Sequence, residues 1–109
     1  MSRERIELEP VALGPEEMRG LDFGERLVLL SRVDGRWCAI DDWCNHAGCQ
    51  LSAGRREGRT VICPCHDIGF DLVTGRNLTS PEICGDQAAF TVEEHDGGLI
   101  LILGPRGGD

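Results

Sequence analysis

Residues 44–66, CNHAGCQLSAGRREGRTVICPCH, hold four of the chain's six cysteines and two of its three histidines. Cys44 and His46 stand in a C-x-H pair, Cys63 and His66 in a C-x-x-H pair, and sixteen residues separate His46 from Cys63. Two thiolates and two imidazoles form a soft donor set suited to zinc or to iron-sulfur chemistry. Three arrangements compete for it. A structural zinc site accepts two cysteines and two histidines, but its usual spacings pair cysteine with cysteine and histidine with histidine. Here each pair is mixed. A plant-type iron-sulfur site needs C-x4-C-x2-C and a distant fourth cysteine; Cys44 and Cys49 have the first spacing, but position 52 is Ser52. A [2Fe-2S] cluster with two thiolates on one iron and two imidazoles on the other is served well by mixed pairs on two opposed loops.

Such loops need a rigid frame, and the chain reads as short apolar runs separated by turn residues. Residues 27–32 (LVLLSR) and 37–41 (WCAID) flank Asp34-Gly35, a strong hairpin signal. Residues 90–94 (FTVEE) alternate as a strand does and turn through HDGG into 99–103 (LILIL), a second hairpin. Residues 59–62 read as a short strand entering the second cysteine pair, and 69–73 as one leaving it before a turn at Thr74-Gly75. Residues 5–13 predict an N-terminal strand interrupted at Pro10, which suits a sheet edge. Residues 15–18 predict one helical turn, and nothing longer has helical periodicity. The fold class expected is all-β.

The chain of 109 residues is the size of one domain, 1–109, and its core must be largely aliphatic, since aromatics make up 5% and tyrosine is absent. A net charge of −8, from 19 acidic against 11 basic residues, argues against nucleic acid and suits a basic protein partner. The N-terminal residues contain no apolar run of signal-peptide length, and no stretch approaches ~18 apolar residues, so no membrane span is expected. A soluble cytoplasmic protein follows, in which cysteines serve metal ligation before disulfides.

The motif C-x-H, some sixteen residues, C-x-x-H, met by Cys44, His46, Cys63 and His66, resembles that of the Rieske iron-sulfur family. The likeness extends over 33–54, with Leu51 and Gly54 where such proteins commonly carry them, and over 63–81, which is similar to the second loop and the proline-bearing loop after it. With the C-terminal hairpin it covers roughly residues 25–103. The resemblance implies an antiparallel β-sandwich or barrel base carrying a small two-loop part that binds one [2Fe-2S] cluster, with the histidine-ligated iron near the surface. Two ferric ions, two sulfides and two thiolates with neutral imidazoles sum to about zero, whereas four thiolates leave about −2, so an added electron is accepted more easily.

Cys49 and Cys65 match the positions of a loop-to-loop disulfide in quinol-oxidising Rieske proteins, and the resemblance implies one here. Two neighbouring positions depart from that high-potential branch. A serine and a tyrosine donate hydrogen bonds to the cluster sulfurs there, whereas Ile68 and Phe70 stand here without a hydroxyl, which should lower the potential. The usual glycine after the second histidine is Asp67, so an altered loop or an added charge beside the imidazole is expected. Pro81 resembles the proline that covers the cluster in the family. Cys38 and Cys84 read as plain thiols, and His95 as a solvated turn residue.

The resulting expectation is a one-electron carrier rather than an enzyme. Once His46 and His66 are assigned, only His95 remains, so no facial triad of two histidines and a carboxylate can form. By resemblance it passes electrons from a flavin-dependent reductase to a terminal oxygenase of the aromatic-ring-hydroxylating type. The alternatives are the small subunit of an NADH-dependent nitrite reductase, whose Rieske-like fold often lacks the ligands, and a high-potential respiratory Rieske protein.

Overall fold

Asp34 and Gly35 both have positive φ, 52° and 78°, the conformation of a two-residue hairpin loop. They join β3 (Leu27–Val33) to β4 (Arg36–Asp41), in register from Val33↔Arg36 to Val28↔Asp41. The second hairpin joins β8 (Ala89–His95) to β9 (Gly98–Leu103), with His95 opposite Gly98. The computed structural model describes residues 4–9, 12–24, 26–44, 48–95 and 97–103. With β1 (Glu4–Leu8) and β2 (Met18–Asp22) the hairpins build a six-stranded antiparallel sheet, ordered β1-β9-β8-β4-β3-β2.

That sheet curls. Its edge strands β1 and β2 are farthest apart in strand order, yet Ile6 and Leu8 from one and Leu21 from the other pack against the same core, formed by Val28, Leu30, Ala39, Leu99, Leu101 and Leu103. Successive side chains on a strand point to opposite faces, so the alternate residues of the first hairpin, Leu29, Val33, Cys38 and Ile40, face the other way. There they join a second core with Cys44, Leu51, Val61, Cys63, Ile68, Phe70 and Leu72. Burial on both faces explains why 27–30 reads as a continuous apolar run. The β3–β4 hairpin is therefore a wall between the curled sheet and the part of the chain that carries both cysteine pairs.

That part lies between β4 and β8 and contains a three-stranded antiparallel sheet of β5 (Arg55–Glu57), β6 (Thr60–Ile62) and β7 (Gly69–Asp71). Arg56 fastens it to the wall, donating from Nη2 to the carbonyl of Arg32 at 2.6 Å and from Nη1 to that of Glu17 at 2.9 Å. Arg59 holds Asp71 across the sheet at 3.0 Å. The only helical element among the described residues is one 3-10 turn, Leu51–Ala53, and no helix among them is long and apolar enough to cross a membrane. The fold is all-β, as the patterning implies.

Two local expectations need correction. The helical turn at 15–18 is a plain turn at Pro15 and Glu16, and Met18 instead opens β2, paired with Ser31 of β3. The pairing available along β3 outweighs weak local propensity. The N-terminal strand ends at Leu8; it does lie at the sheet edge, while Pro10 falls outside the described residues. Neither β2 nor β5 has a strong alternation of its own.

Candidate metal centre

Cys44 follows the end of β4 and Cys63 follows the end of β6, and both cysteines lie outside the disulfide and are buried, 1% and 0% exposed. His66 is exposed on a turn next to Cys65. His46, the fourth expected ligand, lies outside the described residues. The two loops share one backbone pattern. The N–H of Cys44 donates to the carbonyl of Cys49 at 2.7 Å, and that of Gly48 donates back to Cys44 at 2.9 Å; in the second loop Cys63 donates to Ile68 at 2.9 Å and Asp67 to Cys63 at 3.0 Å. In each, the residue four after the cysteine has a left-handed φ, 72° at Gly48 and 55° at Asp67. Two like loops thus present one buried thiol each, and a disulfide between Cys49 and Cys65 joins them, Cα to Cα 6.5 Å.

The first loop is braced from beneath. Asp42 is fully buried and accepts hydrogen bonds from the Ser52 N–H and hydroxyl, both at 2.6 Å, and from Gln50 at 3.4 Å. Burial pushes its carboxyl pKa up, partly offset by those donors. Gly20 of β2 is required by this pair, since a Cβ there would come within 2.6 Å of Ser52 Oγ and 2.9 Å of Asp42 Oδ2. Trp43 bridges to Gln50 and packs over Gly48.

Around the second loop, Asp67 takes the backbone conformation a glycine would supply, so its departure from the family pattern is one of charge and not of path. Its side chain is 80% exposed and faces Arg55 Nη1 at 3.8 Å. Ile68 and Phe70 are fully buried. Pro81 is exposed, in the segment that follows β7. Cys84 is half-buried, and Asn77 Nδ2 donates toward its sulfur at 3.5 Å; burial raises its thiol pKa, as it does that of Cys38, which sits in β4. His95 closes β8 with its side chain 61% exposed, 3.9 Å from Glu93.

Sequence reasoning missed the buried polar residues Asp42, Asn77 and Gln87 that hold the loops in place. An aspartate or amide in a loop carries no local sign that it will be buried, and only the packing reveals it.

The Rieske [2Fe-2S] domain model matches residues 7–91. The chain belongs to this family. Among its Rieske relatives, the ferredoxin component of the naphthalene 1,2-dioxygenase system of Pseudomonas putida is 32% identical over 78 residues, covering 72% of this chain and 73% of the relative. The ferredoxin component of the naphthalene 1,2-dioxygenase/salicylate 5-hydroxylase systems of a Ralstonia species is 36% identical over 62 residues, 57% of this chain and 60% of its own length. Among solved structures, a chain of the complex of reduced oxygenase and oxidised ferredoxin in carbazole 1,9a-dioxygenase superposes with a TM-score of 0.81 at 25% identity, covering 94% of each chain.

A Rieske domain carries one [2Fe-2S] cluster, and the residues present fit it. Two buried cysteines outside the disulfide, in matched loops, meet the need for two thiolates in a water-poor setting. Among the described residues no three cysteine, histidine or carboxylate groups converge on one metal ion. A two-iron cluster divides its ligands between the irons.

Proposed function

We propose that Cys44 and Cys63 hold one iron, that His46 and His66 hold the other, and that the protein is a soluble cytoplasmic one-electron carrier. It receives electrons from a flavin-dependent reductase and delivers them to a terminal oxygenase of the aromatic-ring-hydroxylating type. The observation that carries this reading is the pair of matched loops, each with a buried thiol, beside an exposed imidazole at His66. When bound, the cluster takes up and releases a single electron. The chain's own residues do the rest: the buried thiols keep water from the inner side, His66 reaches the surface where a partner can approach, and Asp67 and Arg55 set the local charge. Relatives that are ferredoxin components of dioxygenase systems support the assignment of partners, as does the oxygenase–ferredoxin complex in carbazole 1,9a-dioxygenase.

The Cys49–Cys65 disulfide favours a second reading, a high-potential quinol-oxidising protein. Buried Ile68 and Phe70 oppose it, since neither can donate to a cluster sulfur. The deciding experiment is iron and sulfide analysis of the purified protein with electron paramagnetic resonance of its reduced form, followed by turnover with a flavin reductase and a Rieske oxygenase. Equal iron and sulfide with electron delivery supports the carrier. Zinc without sulfide overturns it.

A further inference from the structure

The disulfide is not the only link between the cluster loops. Residues 77–87 leave β7, run past Pro81 and return to β8, and they are tied to the bases of both loops. At the second loop, Leu78 N–H donates to the Gly69 carbonyl at 2.8 Å, Thr79 Oγ1 accepts from Gly69 N–H at 2.9 Å, and Asn77 bridges to Phe70. At the first, Gln87 Nε2 donates to the carbonyls of Asp41 and Trp43, both at 2.8 Å, directly before Cys44. Gln87 N–H also donates to the Gly75 carbonyl at 2.7 Å.

The segment between these ties is folded around one amide. Asn77 Nδ2 donates to the carbonyls of Ser80 at 3.1 Å and Cys84 at 2.9 Å, and Oδ1 accepts from Ser80 N–H at 2.9 Å. Asp86 Oδ1 accepts from Asn77 N–H at 2.8 Å. Asn77 and Gln87 are each only 4% exposed, so neither amide can exchange these partners for water without opening the segment, and an orphaned buried group is costly.

We propose that residues 77–87 form a non-covalent strap cross-linking the two cluster loops, with Asn77 and Gln87 as its positioning residues, so that the cluster-binding part stays assembled without the Cys49–Cys65 disulfide. The inference rests on the carrier reading above. The disulfide and the strap join the same loops at different places, half-exposed Cys49 and exposed Cys65 on one side and the buried loop bases on the other. Two links in parallel make either one dispensable. Loss of both leaves the loops joined through the small sheet, their shared core and the cluster alone.

The test is a double-mutant cycle on the iron-loaded protein. One arm is Cys49→Ser with Cys65→Ser, the other Asn77→Leu, which keeps side-chain size and removes the amide, and Gln87→Leu repeats the second arm at the opposite end. The disulfide-free variant is expected to keep its [2Fe-2S] absorption and a potential close to the parent's. Asn77→Leu and Gln87→Leu should each retain the cluster, shift its potential upward as water gains access, and quicken iodoacetamide labelling of Cys84, read by mass spectrometry. Combining the arms should accelerate loss of iron to a chelator far beyond the product of the separate effects. Additive effects, or cluster loss from removing the disulfide alone, overturn the strap. A parent protein with no [2Fe-2S] absorption overturns the carrier reading itself, a result that no strap variant can mimic.

Discussion

Gly48 and Asp67 occupy the same place in two matched loops: each stands four residues after a buried cysteine, has a left-handed φ, and donates its N–H to that cysteine's carbonyl. The position demands a backbone that glycine adopts freely and aspartate tolerates. Asp67→Gly should therefore keep the loop and raise stability by up to about 1 kcal/mol. It also removes a negative charge beside His66, so the potential should rise, and by less at high salt because the carboxylate is exposed. Film voltammetry at two ionic strengths checks both parts; a fall in potential would contradict them.

The reverse change is expected to be harmful. Gly48→Ala would place a Cβ 3.3 Å from the Trp43 ring while keeping a φ of 72°, at a cost of about 1–2 kcal/mol. Chemical denaturation of parent and variant measures it.

Gly54 needs its missing side chain for a different reason. Its φ of −87° suits any residue, but a Cβ would overlap the Ile62 carbonyl oxygen and meet Pro64 Cδ at 3.1 Å. Gly54→Ala should cost about 2–3 kcal/mol through overpacking and loosen the entry to Cys63. A parent-like unfolding midpoint together with a full iron complement would show that the backbone there yields easily.

The ligand assignment predicts different outcomes at its two kinds of residue. Cys44→Ser or Cys63→Ser should abolish cluster binding and lower stability, since metal binding is part of the folding free energy. His66→Cys should retain an iron-sulfur cluster at a markedly lower potential, because a thiolate adds negative charge where a neutral imidazole stood. Iron analysis and voltammetry separate the cases, and an unchanged potential in His66→Cys would remove His66 from the ligand set. In the parent protein, the absence of hydroxyl donors at Ile68 and Phe70 predicts a potential near about −150 mV.

Asp71 sets an acid limit on stability. Burial pushes its carboxyl pKa up, but hydrogen bonds from Arg59 and from the N–H groups of Val73 and Thr74 outweigh this and hold it below the ordinary value. A lowered folded value means that the fold favours the ionised form, so the contribution is complete above the usual carboxylate range and disappears as pH falls through the lowered value. Asp71→Asn should cost about 1–2 kcal/mol at neutral pH, kept modest by the half-exposed Arg59. The two proteins should converge in acid. Urea midpoints across a pH series test this, and a constant difference at every pH would show that the charge plays no part.

Much of the chemistry was open to reading in one dimension because it depends on residue type and close spacing. C-x-H and C-x-x-H place a thiol and an imidazole on each loop whatever the rest of the fold does, and Asp34-Gly35 turns its hairpin through local φ preferences alone. Tertiary structure decided what depends on distant partners. Met18 belongs to a strand only because Ser31 and its neighbours offer it hydrogen bonds, and Asp67 could be read as a disturbed loop until its likeness to Gly48 in backbone path was visible. Asp42, Asn77 and Gln87 look like ordinary polar loop residues; burial turns them into braces, because a polar group removed from water must find its partners within the protein.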